Sequence, residues 1–272
     1  GAGGTIGLAG DVYTKGVSGY WQIIGWNIGW LMLVFMAKRL WSTGASSVVD
    51  VFGKSCGKTT RLAAALACLV FSVPALSTQL IGLGNMFKVV FSVAGIDLDY
   101  KIFVTISCII MVFAVFKGGL YSSAYSGTFN FFILAVVFVI CLPIFTCVAA
   151  GGASQAITNI EILPASFKDL FAGVSVSATL LAIVKYCFTA GSNIAYVNNT
   201  LAAKDAKTAR NGSIGGIISY FIIPGIIMVC TLVLINVFPN LENPSSVLTF
   251  SFLNIFPPVI RGLSVIALIA VV

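Results

Sequence analysis

Histidine is absent from this chain of 272 residues. That removes imidazole acid–base catalysis and His-ligated metal sites in one step. Charge is nearly as scarce: 8% of the residues are Asp, Glu, Lys or Arg, against about 25% in an ordinary soluble domain. Apart from Asp11, the eight acids all read as loop or loop-edge residues, so an intramembrane enzyme built on clustered acids is not expected. The seven cysteines form no C-x-x-C pair, and Cys68, Cys108, Cys141, Cys147, Cys187 and Cys230 lie in apolar runs. They read as small packing residues. No basic segment followed by a short apolar core marks a cleavable signal peptide. What is abundant is apolar: 59% of residues are hydrophobic and the mean hydropathy is +1.06. An integral membrane protein is the reading. The chain starts without Met and stops within an apolar run, Ile266 to Val272, so a partial chain lacking both ends is expected.

A bilayer core about 30 Å thick takes roughly 20 apolar residues of helix. Runs of that kind predict spans near 18–40, 62–90, 102–116, 128–149, 174–197 and 214–238, with a half-span at 5–13 and a cut one at 259–272. The whole of 1–272 reads as one transmembrane domain. Charge alternates along the connectors. Lys38, Arg39, Lys54, Lys58 and Arg61, then Lys117, then Lys204, Lys207 and Arg210 fall on one side. Asp97 and Asp99, Glu161 and Glu242 fall on the other. Basic connectors stay in the cytoplasm, so a net charge of +7 implies no nucleic-acid partner here.

FGKSCGKTT, Phe52 to Thr60, imitates a phosphate-binding loop. Three residues separate Gly53 from Gly57 where that motif needs four, and no apolar strand precedes it. A short basic connector explains it. Within the spans, Lys185 is the most expensive residue, because a charge at depth must be paired or line a cavity. Its surroundings, KYCFTAGSNIAY, hold Tyr186, Thr189, Gly191, Ser192 and Asn193. Gly, Ser and Asn are poor helix-interior residues, so a helix break is expected there, the device by which secondary transporters expose backbone at the midplane. Lys185 either snorkels toward the headgroups, holds a solute carboxylate, or carries a coupling proton. Ser77, Thr78 and Gln79 follow Pro74, where hydroxyls either face a pathway or repair bonds that proline breaks. Gly25 and Gly29 in GWNIGW have the spacing of close helix packing. Tyr20, Trp21 and Trp41 suit an aromatic belt at the membrane surface.

Several stretches together resemble the sodium:solute symporter family. GAGGTIGLAGDVYTKGVSGYW is similar to the second half of that family's first core helix, and LWSTGASSVVDVFGKSCGKTTR to its cytoplasmic loop. STQLIGLGNMF, FKGGLYSSAYSGTFNFFIL, GSNIAYVNNTLAAKDAKTARNG and PPVIRGLSVIALIAVV resemble later segments, in order and with matching spacing. Where the family pattern reads T-D-x-x-Q, this chain has Ser126, Gly127 and Asn130. Where the pattern continues N-Q and Q-R, it keeps Asn193 and then has Ile194, Asn198 and Asn199.

The resemblance implies an all-α polytopic bundle of the leucine-transporter type, two inverted repeats with discontinuous first helices. It implies a multi-pass protein of the plasma membrane that is not an enzyme. It further implies symport of a small polar solute with a cation, most simply sodium, by alternating access, with no other cofactor. A transporter-like sensor module is the alternative. By position, Gly4 and Thr5 match the unwound point of the first helix, and Gln79 and Asn193 match polar positions of the third and sixth. Tyr186, Phe188 and Thr189 match the aromatic inner gate. With Lys185 these are the expected solute contacts. The implied sodium site draws on carbonyls just before Gly1 and hydroxyls beyond Val272. The glycines at 1, 3 and 4 are read as the break itself, leaving backbone bare for ion and solute.

Overall fold

A computed structural model describes residues 4–271 except 94, 96–98, 172–174 and 192. Gly1 and Gly3, expected at a helix break, and Asp97 and Ser192 lie outside the described residues. Those that are described contain helices and no strand, as lipid requires: with no water to bond to, each backbone group must find its partner within its own segment.

The chain runs through α1 (Ile6–Lys15), α2 (Trp21–Ser42), α3 (Val48–Cys56) and α4 (Lys58–Val93). After α5 (Tyr100–Ala135) and a π-turn at Val136–Cys141 come α6 (Leu142–Ala149), α7 (Ala153–Ile162) and α8 (Ala165–Lys168). The last elements are α9 (Val176–Gly191), α10 (Ile194–Leu201), α11 (Ala206–Val237), α12 (Val247–Ile255) and α13 (Pro258–Val271). Five described stretches are long and apolar enough to cross a membrane: Ile6–Ser42, Lys58–Gly84, Gly127–Ala149, Val176–Leu201 and Ala206–Val237. Shorter apolar helices lie at Tyr100–Ile109 and Pro258–Leu268. The all-α polytopic class holds.

Two local expectations differ from what is seen. The connector expected at 117–127 is helical and belongs to α5. No proline lies between Tyr100 and Pro143, and a glycine costs a helix only about 1 kcal/mol relative to Ala, so the backbone ladder continues through Gly118 and Gly119. It widens into the π-turn just ahead of Pro143, whose ring nitrogen cannot donate to the carbonyl four residues back. Secondly, α1 and α2 are joined by a 3₁₀ turn, Gly16–Tyr20, rather than a loop. α1 ends where Gly16 takes φ 66°. A Cβ at Gly16 would stand 2.3 Å from the carbonyl oxygen of Phe167, so glycine is required there for both conformation and space.

Contacts divide the chain into two compact units. One comprises Gly1–Gly19, Leu76–Gly173 and Ile223–Val272; the other comprises Tyr20–Ala75 and Val174–Ile222. α4 and α11 each contribute to both, and each passes from one to the other within two residues of its internal proline, Pro74 or Pro224.

The first unit is centred on the buried α12. Phe252 meets Phe138 and Phe256 at ring separations of 5.8 and 4.8 Å, and Phe145 meets Phe256 at 4.8 Å. α1 lies against the 3₁₀ turn ahead of α12, where a Cβ on Gly10 would come within 3.0 Å of Ser245. The Tyr13 hydroxyl donates to the Phe238 carbonyl at 2.5 Å and accepts the Leu241 N–H at 3.2 Å.

The second unit is built on the α2–α9 pair. Gly25 and Gly29 face α9 so closely that a Cβ at Gly29 would stand 2.0 Å from the Cys187 carbonyl oxygen. The small-residue spacing of GWNIGW therefore serves backbone approach. Its two indoles do as much: Trp30 stacks on Tyr196 at 4.4 Å and meets Tyr220 edge-on at 5.7 Å, while Trp26 reaches Tyr186, Tyr196 and Tyr220 at 6.1–6.3 Å.

Candidate functional site

The helix break expected from GSN is present. α9 stops at Gly191, Asn193 is extended with φ −63° and ψ 119°, and α10 starts at Ile194. The amide side chain of Asn193 closes the new helix, its Oδ1 accepting the Ala195 N–H at 3.0 Å. This is the N-cap role in which Asn is favoured, because it satisfies a donor that the first turn cannot. Val176–Leu201 is the membrane stretch that contains the break. Its centre falls between Phe188 and Thr189, so Lys185 and the break flank the centre, each within about a turn of it.

Packing of α9 on α2 sorts the candidate side chains by face. Thr179 and Ala190 are buried, Ile183 and Cys187 back onto Gly25 and Gly29, and Tyr186 joins the indole cluster. The opposite face carries Leu181, Val184, Lys185 and Phe188, at the i, i+3, i+4, i+7 positions of one helical stripe. Leu181, Val184 and Phe188 there are 70%, 50% and 66% exposed, and Lys185 is exposed among them. The Lys185 ammonium lies 5.1 Å from the centroid of the Tyr186 ring, within cation–π range. The Thr189 hydroxyl donates to the Lys185 carbonyl at 2.7 Å, so that group serves the helix backbone.

Lys185, Tyr186, Phe188, Thr189 and Asn193 thus share one broken helix in the second unit. Two of them have structural tasks the sequence did not announce: Asn193 caps α10, and Tyr186 packs on Trp26. Trp26, Trp30, Tyr196 and Tyr220 were not singled out as a cluster. The i, i+4 spacing of the two tryptophans was its only sequence signal.

Gly4, Thr5 and Gln79 belong to the first unit. Gly4 and Thr5 precede α1, with the Thr5 carbonyl accepting the Ala9 N–H at 3.0 Å, and Gln79 is half-buried on α4. The pseudo-phosphate loop resolves into two helices. Phe52–Cys56 ends α3, Gly57 turns with φ 91°, and Lys58 starts α4. Among the described residues no three His, Cys, Asp or Glu side chains are grouped to hold a metal ion.

Comparison with known proteins agrees with this architecture. The chain matches the profile of the sodium:solute symporter family over residues 1–272. The chain belongs to the sodium:solute symporter family. It is 27% identical over 182 residues to the high-affinity proline transporter PutP of Bacillus subtilis strain 168, a match covering 63% of this chain and 37% of that protein. The chain therefore spans little more than a third of that relative's length. No solved structure matches it. Members of the sodium:solute symporter family are transporters rather than enzymes, and this chain is part of a multi-pass protein of the plasma membrane.

Proposed function

We propose that the chain carries the solute-translocating core of a sodium-coupled importer of a small polar solute, working by alternating access on a leucine-transporter-like pair of inverted repeats. The observation that carries this reading is the break at Gly191–Asn193 with Lys185 beside it, near the centre of a membrane-crossing helix. A charge at that depth costs several kcal/mol in lipid, so a lysine on the outward face of α9 is best accounted for by an aqueous path. There it holds an anionic group of the solute, with Phe188 covering it from the same face. Gly4, Thr5, Gln79, Tyr186, Thr189 and Asn193 are further proposed contacts, on the family pattern.

Proline, the substrate named for the Bacillus subtilis relative, carries a carboxylate and is the first solute to test. Uptake by the complete protein in proteoliposomes is expected to rise with an inward sodium gradient. Lys185→Gln is expected to raise the half-saturation concentration of a carboxylate solute roughly tenfold or more, because a hydrogen bond to a charged group contributes about 1.5–3 kcal/mol. Accumulation indifferent to both sodium and proton gradients would remove the coupling. Unaltered saturation in the variant would return Lys185 to a packing role.

A further inference from the structure

The two halves of the broken helix rest on one unbroken neighbour. α9 lies against α2 along Gly25 and Gly29, and the contact continues to its last residue: a Cβ on Gly191 would stand 3.4 Å from the Gly29 carbonyl oxygen. The Cys187 thiol meets the Met32 sulfur at 3.8 Å on the same seam. Beyond the break, α10 is held to that helix by rings. Trp30 stacks on Tyr196 with centroids 4.4 Å apart and planes 14° from parallel, and Trp26 meets the same tyrosine edge-on at 6.2 Å. The turn that follows α10 is fastened as well, the Trp41 indole N–H donating to the Ala203 carbonyl at 2.9 Å. All of these residues belong to the second unit.

α10 needs that support. It has 8 residues, and an isolated helix shorter than about 12–15 residues is marginal. The Asn193 cap closes its first turn without setting the direction of its axis. That direction is set by the α2 side chains and by one further tie, in which Asn198 Oδ1 accepts the Val48 N–H at 3.1 Å. Val48 opens α3, where an N–H has no acceptor in its own helix, so the bond serves α3 and α10 at once. The order of contacts along α2, Gly25, Gly29, Trp30 and Trp41, follows the order of their partners, Ile183, Cys187, Tyr196 and Ala203. α2 is continuous from Trp21 to Ser42, so it bridges the break from one side to the other.

We propose that α2 is a splint for the broken helix, with Trp30 and Trp41 as positioning residues. They fix α10 relative to α9, and with it the spacing between Lys185 on one side of the break and Asn193 on the other. The proposal rests on the reading of that break as the solute site. Held on one straight support, the break keeps one width, and its groups meet the solute already in place, which lowers the ordering cost of binding. The same contacts make the break a poor hinge, so the bending that alternating access requires falls elsewhere.

The test uses the full chain in proteoliposomes and reads amide hydrogen exchange by mass spectrometry, which requires no solute. Protection in 194–201 reports the docking of α10, and protection in 176–190 that of α9. Trp30→Leu with Trp41→Phe removes the stack and the indole bond. Exchange in 194–201 is expected to rise about tenfold or more, from the loss of one ring pair and one hydrogen bond, with 176–190 unchanged. Trp30→Phe with Trp41 intact keeps a ring against Tyr196 and is expected to retain most of the protection. In sodium-driven proline uptake the double variant is expected to raise the half-saturation concentration several-fold at a nearly constant maximal rate. Unchanged exchange in 194–201 overturns the splint. Equal loosening of 176–190 does so too, because it shows a general loss of stability in place of positioning. Loosened exchange with an unaltered half-saturation concentration overturns the positioning role, and a faster maximal rate shows that the rings restrain a hinge that transport uses. Absence of uptake by the wild type removes the solute reading and leaves the exchange result to decide the splint by itself.

Discussion

A Cβ on Gly29 would stand 2.0 Å from the carbonyl oxygen of Cys187 and 2.9 Å from the Cβ of Ala190. The second unit is thus assembled around a point where two helices touch backbone to backbone. At that separation dispersion contacts between main chains replace those between side chains, which is how helices without a hydrophobic driving force associate in lipid. Trp30, the next residue of α2, meets Tyr196 of α10 and Tyr220 of α11.

Gly29→Ala is therefore expected to destabilise the protein by about 1–3 kcal/mol, as overpacking does, and to lower the thermal unfolding midpoint. Gly212, in α11, is the control. Nothing lies within 4 Å of its missing Cβ, so Gly212→Ala is expected to stabilise by up to about 1 kcal/mol through helix propensity alone. Equal effects of the two substitutions would mean that the α2–α9 contact is not close.

Asp205 governs the start of α11. Its carboxylate accepts the Thr208 N–H at 2.6 Å, and that bond, aided by Lys207, holds its pKa below the ordinary carboxylate value of 3.8. The folded state thus binds this proton less readily than the unfolded state does. Its contribution to stability is fully present above about the unfolded value and is lost as pH falls through the lowered folded one. Asp205→Asn is expected to keep the cap and flatten the acid side of the stability profile, and Asp205→Ala to lose both. Unfolding midpoints between pH 2 and 6 check this.

Tyr13 is expected to behave as a clamp in the first unit. Its hydroxyl bonds both the Phe238 carbonyl and the Leu241 N–H, joining α1 to the end of α11 across more than two hundred residues of sequence. Tyr13→Phe removes both bonds at nearly constant volume. At about 0.5–1.5 kcal/mol for each, a loss of roughly 1–3 kcal/mol is expected, together with faster proteolysis in 239–246.

Pro74 and Pro224 each deny one backbone hydrogen bond to a long helix that contributes to both units. Under alternating access, Pro224→Ala is expected to stiffen α11. The unfolding midpoint should rise and the maximal uptake rate fall several-fold, with the half-saturation concentration unchanged. An unaltered rate would show that this proline is not where the helix flexes.

The outcome at each place follows the range of the forces involved. The break at Gly191–Asn193 was legible because helix propensity and Asn capping act over a few residues. The connector read at 117–127 failed for a related reason. Gly118 and Gly119 are weak helix breakers, and within one segment the backbone ladder outweighs them.

Composition and spacing by themselves determined that this chain is an all-helical membrane protein, because lipid offers no partner for an unpaired backbone group. They also determined that Gly25 and Gly29 serve close packing, and that Lys185 is the costly charge in its span. Only the tertiary structure decided which face of α9 Lys185 occupies and that Tyr186 belongs to an indole cluster. It alone joined Val48, Ile194 and the alanines of α4 around one groove. These are contacts between residues far apart in the chain. They depend on how side chains of given shape fill space, and helical periodicity marks the face a residue shares without naming the neighbour it will meet.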